Sequence, residues 1–283
     1  MTLEGKPSNY EIGIVTDSTA YLSQELIAQN QLSIVPVQVI VDGEAFSDST
    51  ELLASKVIPA LRSNKTVTTA RPSVQTFVET YQAKVAAGAK SILSIHLSSE
   101  LSGTYESAVL AARQMKVPVT VIDSQGVAGF LQLIVLNAVR LRSMGLGISE
   151  IENELTKQCA QIKMYFYVDT LEFLERGGRV STIRSKIGQL LTVKPILKMQ
   201  NGQVELHELV RSENKALSRI VELACEQGPA HSFLINHVSS PDRAILIREA
   251  ICNALKIENI QVVGAGAVVG AHVGPGTVAV VVD

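Results

Sequence analysis

From Glu11 to about Ala160 the chain alternates short runs rich in β-branched residues with stretches of helical periodicity, and no other feature restricts its fold as much. Strands are predicted at Ile12–Thr16, Ile34–Val41, Ser91–Ile95 and Val119–Ile122. Helices are predicted at Leu22–Gln29, Thr50–Arg62, Ser73–Ala87, Ser102–Met115, Val127–Met144 and Ser149–Ile162. Ser49, Ser102 and Ser149 are cap-type residues at three of these helix starts, and Pro72-Ser73 suits the first turn of another. Repeated strand-to-helix alternation needs crossovers. The expected class is therefore α/β, with a parallel doubly wound sheet covered on both faces and ligands beyond its carboxyl ends.

After Gln161 the pattern changes. Met164–Val168, Ile196–Met199 and Val204–Val210 read as strands, and Asn201-Gly202 is a two-residue hairpin signal between the last two. Further strands at Ser232–Val238, Gln261–Val263 and Thr277–Val282 are separated by helices near Glu213–Glu226 and Pro241–Leu255. The second half is thus expected to be a second α/β domain with an antiparallel or mixed sheet. The expected boundaries are 10–160 and 161–283.

Asn259–Val282 is 24 residues without a formal charge, long enough to span a bilayer. Five glycines, Pro275 and His272 interrupt it, so it reads as strand, loop, strand and no transmembrane segment is expected. Composition agrees with a large buried core: 46% of the 283 residues are hydrophobic and 18% charged, with a mean hydropathy of +0.23. A net charge of -2 supplies no basic field, so nucleic acid is not an expected partner. The N-terminal MTLEGKPSNYE has no apolar core of the signal-peptide kind, and Cys159, Cys225 and Cys252 match no metal or disulfide spacing. Reduced thiols in a cytoplasm are the expectation.

Several segments carry possible chemistry. Asp17 and Asp123 end apolar strands, where capping and loop hydrogen bonds are the favoured role. Thr66–Ser73 precedes a helix and offers Thr68, Thr69 and Arg71 either to an anion or to an ordinary capped start. Leu97–Tyr105 gathers Ser98, Ser99, Ser102, Gly103 and Thr104 after a buried strand, more hydroxyls than one cap needs, which favours an anion cradle. Gly264–Gly276 fits neither a dinucleotide fingerprint, because the glycine spacing is wrong and only 13 residues follow Gly270, nor a phosphate loop, because no Lys-Ser/Thr follows Gly270. What remains is a tight loop presenting His272 to a ligand. Leu171–Ser181 reads as a short helix ended by Gly177-Gly178, with Arg176 and Arg179 either beside an ordinary C-cap or on a partner surface. No Gly-x-Ser-x-Gly elbow, His-x-x-x-His pair or cysteine cluster supports a hydrolase or a catalytic metal.

Taken in order, Thr16-Asp17-Ser18, Thr68-Thr69 before Pro72-Ser73, Leu97–Tyr105, Asp169–Leu174 with Gly177-Gly178-Arg179, Lys194–Leu197 and Gly270–Gly276 resemble the DegV family over nearly the whole chain. The resemblance implies a bacterial, cytoplasmic fatty-acid-binding protein of two α/β domains, monomeric when free, with an acyl chain in an apolar tunnel between them. It implies a partner as well: a separate fatty acid kinase subunit that turns the presented carboxylate into an acyl-phosphate, so the chain itself has no ATP site, no cofactor and no catalytic residue. Carried over by position, the carboxylate ligands fall on Thr69, Ser98 or Ser99, and His272, with Thr68, Ser102, Gly270 and Gly274 in the supporting loops. Arg176, Arg179 and Arg211 are the candidates for docking or for contact with the transferred phosphate. The chain reads Thr69-Ala70-Arg71 where many relatives read Thr-Ser-Gln, exchanging a hydroxyl for a cation beside the head-group site. The rival expectation is a stand-alone hydrolase or phosphotransferase using His272 as base with Ser98 or Ser99.

Overall fold

A computed structural model describes residues 11–179, 193–229 and 231–283. Tyr10, where the first unit was expected to begin, lies outside them, as do Val180 and Ser181. The described residues form three sheets. The first is wholly parallel and comprises β1 (Ile12–Asp17), β2 (Ser33–Val35), β6 (Ser91–His96) and β7 (Val119–Asp123), in the order β2-β1-β6-β7. Its central strands are buried from their second residue onward, as expected for strands covered on both faces. Helices α4 (Val74–Ala86) and α5 (Thr104–Ala112) pack one face through Phe77, Tyr81 and Ala108. On the other face, α6 (Gly129–Ser143) and α7 (Ile148–Gln161) join a core that runs from Ile14 to Val281, across residue 160.

The third sheet is mixed, in the order β10-β9-β8-β13-β11-β12. Its strands are β8 (Lys163–Tyr167), β9 (Lys194–Gln200), β10 (Gln203–Val210), β11 (Phe233–His237), β12 (Gln261–Gly264) and β13 (Val278–Val282), with only β11 and β12 parallel. The expected Asn201-Gly202 hairpin joins β9 to β10, both residues holding positive φ (49° and 78°) as a tight turn of this hand requires. Helices α9 (Glu213–Cys225) and α10 (Pro241–Leu255) cover this sheet through Ile220 and Ile247. Among the described residues no helix is long and apolar enough to cross a membrane.

Two findings differ from the sequence reading. Ile34–Val41 is not one strand: Pro36 cannot donate to a ladder, and the run divides into β2 and β3 (Gln38–Val41). β3 pairs with β4 (Glu44–Ser47) and β5 (Val67–Ala70) in a separate antiparallel sheet. Thr68 and Thr69 therefore stand on a strand rather than at a helix start, and Ser73, not Pro72, caps α4 by accepting from the Thr76 amide at 3.0 Å. Second, Gly264–Gly276 is not a loop, because it contains α11 (Ala267–Val273), and His272 sits in its last turn. Between β4 and β5 the chain runs through α2 (Thr50–Leu52), a π-helical turn at Leu53–Val57 and α3 (Ile58–Arg62). The short α1 (Gln24–Gln29) and α8 (Glu172–Arg176) complete the helices used below.

Candidate functional site

A cavity of about 250 Å³ lies at the carboxyl end of the parallel sheet, just below the range of about 300–1,000 Å³ usual for small-molecule sites. Residues on both sides of position 160 line it. Leu97, Leu101, Met164, Phe166, Met199 and Val204 give it apolar walls. Among the described residues the polar lining consists of Thr69, Arg71, Ser102, Arg179, His272 and Thr277, with no carboxylate. Such a space suits an apolar body with an anionic end.

Two of these polar residues are bonded to each other. His272 Nε2 is 2.9 Å from Thr69 Oγ1, which joins α11 to β5 across 203 positions. Its Nδ1 is buried with no hydrogen-bond partner among the described residues. Burial first, then the charge of Arg179, pushes the imidazole down to about 4, so it is neutral at pH 7 and carries a single N–H. When that proton sits on Nε2 it is donated to Thr69, and the Thr69 hydroxyl keeps its own proton for an acceptor in the cavity. When it sits on Nδ1, Thr69 donates to Nε2 instead.

Arg179 donates to the Leu101 carbonyl at 3.2 Å and to the Gly177 carbonyl, and burial pushes its guanidinium below the usual arginine range. Gly177 is required beside His272, because a Cβ there would collide with Nδ1. Gly178 takes the left-handed φ of 72° that ends α8, so the Gly-Gly pair serves both the cap and the site. Arg71 is exposed and lies across Gly103, where a Cβ would come within 2.6 Å of its Nη1. It has no ion pair among the described residues. Ser102 faces the cavity and shares a 2.9 Å hydrogen bond with Thr104 Oγ1 at the start of α5.

The other expected residues stand elsewhere. Ser98 is fully buried, does not line the cavity, and donates to the Gly202 carbonyl at 2.6 Å, pinning the β9–β10 hairpin. Ser99 donates to Asp123 Oδ2 at 2.5 Å and likewise does not line the cavity. Both serine protons are committed to other acceptors, and neither serine bonds His272, so no serine–histidine pair of the hydrolase kind forms here. Thr68 is exposed, one position out of phase with Thr69 on β5. Gly270 packs α11 against Leu53, where a Cβ would collide. Gly274 adopts φ 74° against Phe173 to end the helix. Arg176 is exposed and pairs with Glu172 and with Asn64 at 3.1 Å, and Arg211 is exposed next to the Ser212 cap of α9.

Asp17 accepts from Thr19 Oγ1 at 2.5 Å, from the Leu97 amide at 3.0 Å and from His96 Nδ1 at 3.1 Å, a buried loop-holding network of the kind expected at a strand end. Among the described residues no group of three or more His, Cys, Asp or Glu is placed to hold a metal ion. Arg71 was flagged in the sequence by its charge alone. Tyr21 and Asp48, which hold α11, carried no signal there beyond a cap at neighbouring Ser49.

The family model described as "Uncharacterised protein, DegV family" matches residues 11–283. A DegV domain-containing protein of Streptomyces coelicolor is 38% identical over 275 residues, covering 96% of this chain and 98% of its own. A solved structure concerned with fatty acid binding of a DegV family protein from Thermus thermophilus superposes with a TM-score of 0.90 at 31% identity, covering 96% of this chain and 98% of that one. The structure of DegV from Bacillus subtilis, described as a fatty acid binding protein, gives 0.87 at 31% identity with the same coverage.

Proposed function

Because the chain belongs to the DegV family, we propose that it binds a long-chain fatty acid in the cavity, head group at Thr69 and His272 and tail along the apolar wall. One observation carries this reading: an apolar cavity is lined by two guanidinium groups, three hydroxyls and a neutral imidazole, with no carboxylate among the described residues of its lining. A buried carboxylate is costly unless several donors receive it. Thr69, Ser102, Arg71 and Arg179 can donate, with His272 setting which way the Thr69 proton points. The hydroxyl donors in this reading are Thr69 and Ser102 rather than Ser98 or Ser99, whose protons are committed to other acceptors.

The tail supplies most of the affinity. At about 0.8 kcal/mol per buried methylene, a chain of about 15 methylenes contributes on the order of 12 kcal/mol before the costs of association. The proposal extends to a cytoplasmic, cofactor-free, monomeric carrier of two units meeting near residue 160, with the cavity between them. It presents the carboxylate to a separate ATP-dependent kinase, with Arg176, Arg179 and Arg211 as docking or phosphate contacts.

The reading is tested by measuring equilibrium binding of a 16-carbon fatty acid beside the 16-carbon alcohol. The acid is expected to bind at least about tenfold tighter, which corresponds to 1.4 kcal/mol, and Thr69→Val should erase most of that preference. Equal binding of acid and alcohol would contradict an anion site at this end of the cavity.

A further inference from the structure

The helix that presents His272 cannot hold itself. It has seven residues, three of them valines and one a glycine, whereas isolated helices shorter than about 12–15 residues are marginal even with the best helix formers. Its first-turn amides have no partners within the helix. All three are satisfied from far away in the sequence. Ala267 donates to the Ser49 carbonyl at 3.1 Å, Val268 to Asp48 Oδ1 at 2.9 Å and Val269 to the Tyr21 hydroxyl at 3.2 Å. The last two bonds span 220 and 248 positions.

The approach is close as well as bonded. A Cβ at Gly266 would lie 2.7 Å from Asp48 Oδ1 and 2.7 Å from Tyr21 Cε1, and one at Gly270 would collide with Leu53. Asp48 is itself braced, accepting from Ser18 Oγ at 3.2 Å, and Ser18 Oγ in turn accepts from the Val37 amide at 3.1 Å. A line of contacts thus runs from Val37, just before β3, through Ser18 and Asp48 to Val268 in the first turn of α11, four residues before His272. Asp48 is the only charged group in it, yet it does not line the cavity. Burial pushes its carboxyl up to about 6, opposed by the bonds from Val268 and Ser18.

We infer that Asp48 is a positioning residue for the anion site: by capping α11 from the opposite half of the chain, it fixes where His272 stands and therefore its contact with Thr69. The inference rests on the proposed fatty acid site for its consequence in binding, but not for its consequence in His272. Val268 and Val269 of the capped turn also line the cavity, but Met164, Phe166 and Met199 stand on β8 and β9, away from the cap, so the effect should fall mainly on head-group recognition.

The test uses the full chain with Asp48→Ala and Asp48→Asn, the second keeping a side-chain carbonyl where it can accept from Val268. Three quantities are read: the His272 ring nitrogen shifts by NMR in lipid-free protein, the affinity for a 16-carbon fatty acid, and the thermal midpoint. Asp48→Ala should move the His272 shifts and weaken the acid at least tenfold, while binding of the 16-carbon alcohol changes less than threefold; Asp48→Asn should restore both the shifts and the affinity. A lowered midpoint with His272 shifts and acid affinity as in the wild type would overturn the inference. Should Asp48→Ala fail to fold, Tyr21→Phe deletes a single hydroxyl of the same cap, and unchanged His272 shifts in that variant would overturn it equally. If the wild type takes up no fatty acid, the proposed function fails, whereas displaced His272 shifts in Asp48→Ala would still support the positioning role.

Discussion

His272 offers a measurable link between the site and the stability of the fold. Its imidazole is held neutral down to about 4 by burial and by Arg179, whereas an unfolded chain protonates it near 6.5. The unfolded state therefore takes up the proton first as pH falls, so stability is fully present above about 6.5 and is lost progressively toward pH 4. At 1.36 kcal/mol per pH unit the whole gap corresponds to about 3 kcal/mol, of which roughly 2.5 kcal/mol is lost by pH 4.5. Asp48 works the other way. Its carboxyl is raised from 3.8 to about 6, the folded state takes that proton first, and stability rises as pH falls between those values by a similar amount. The wild-type profile can therefore look flat while both effects operate. The variant His272→Gln separates them, since glutamine can still bond Thr69 but does not titrate. Urea denaturation of both proteins at pH 7 and pH 4.5 should show the wild type losing roughly 2.5 kcal/mol more than the variant, as the linkage relation requires. Parallel losses in the two proteins would refute the reasoning.

Thr69→Val keeps the volume and deletes the hydroxyl at the centre of the site; fatty acid affinity by fluorescence displacement should fall about 10- to 100-fold, the range for a hydrogen bond to a charged group of about 1.5–3 kcal/mol. Arg71 is exposed, and surface ion pairs are worth about 0–1 kcal/mol, so as a head-group donor it should contribute little: Arg71→Gln should weaken the acid only a few fold, and less again at high salt, whereas a loss as large as that of Thr69→Val would make Arg71 a principal donor rather than an auxiliary one. Gly177→Ala drives a methyl into His272 Nδ1 and should weaken acid binding while leaving the overall helix content by circular dichroism unchanged, an effect absent from Gly147→Ala controls, where a Cβ meets only Glu150 Oε2 at 3.5 Å.

What the sequence made legible follows from local rules. The βα alternation of the first half, the Asn201-Gly202 hairpin and the antiparallel character of the second half depend on periodicity and turn chemistry within a few residues, and the structure has them. The antiparallel sheet of β3, β4 and β5 was missed because β5 is four residues long and pairs with β3 across an intervening helical segment. Helix α11 was missed for a sharper reason. Five of its seven residues, three valines, a glycine and a histidine, are weak helix formers, and what holds its first turn is Tyr21, Asp48 and Ser49, more than 200 positions away in the chain. At the site, Thr69 and His272 lie within hydrogen-bond distance of each other, but Ser98 does not join them, because its hydroxyl secures the hairpin whose Asn-Gly turn was itself legible. Nothing in the Ser98-Ser99 pair reveals which acceptor each serine serves, since Gly202 and Asp123 reach them only in the folded chain.

The central claim, that the cavity holds a fatty acid by its carboxylate, is tested most directly by native mass spectrometry of freshly purified protein, followed by identification of the released lipid. The account predicts a one-to-one adduct with the mass of a long-chain fatty acid, much reduced in the Thr69→Val His272→Ala double variant. A protein that emerges without adduct after mild purification, or whose adduct is a neutral lipid retained equally by the double variant, would contradict it.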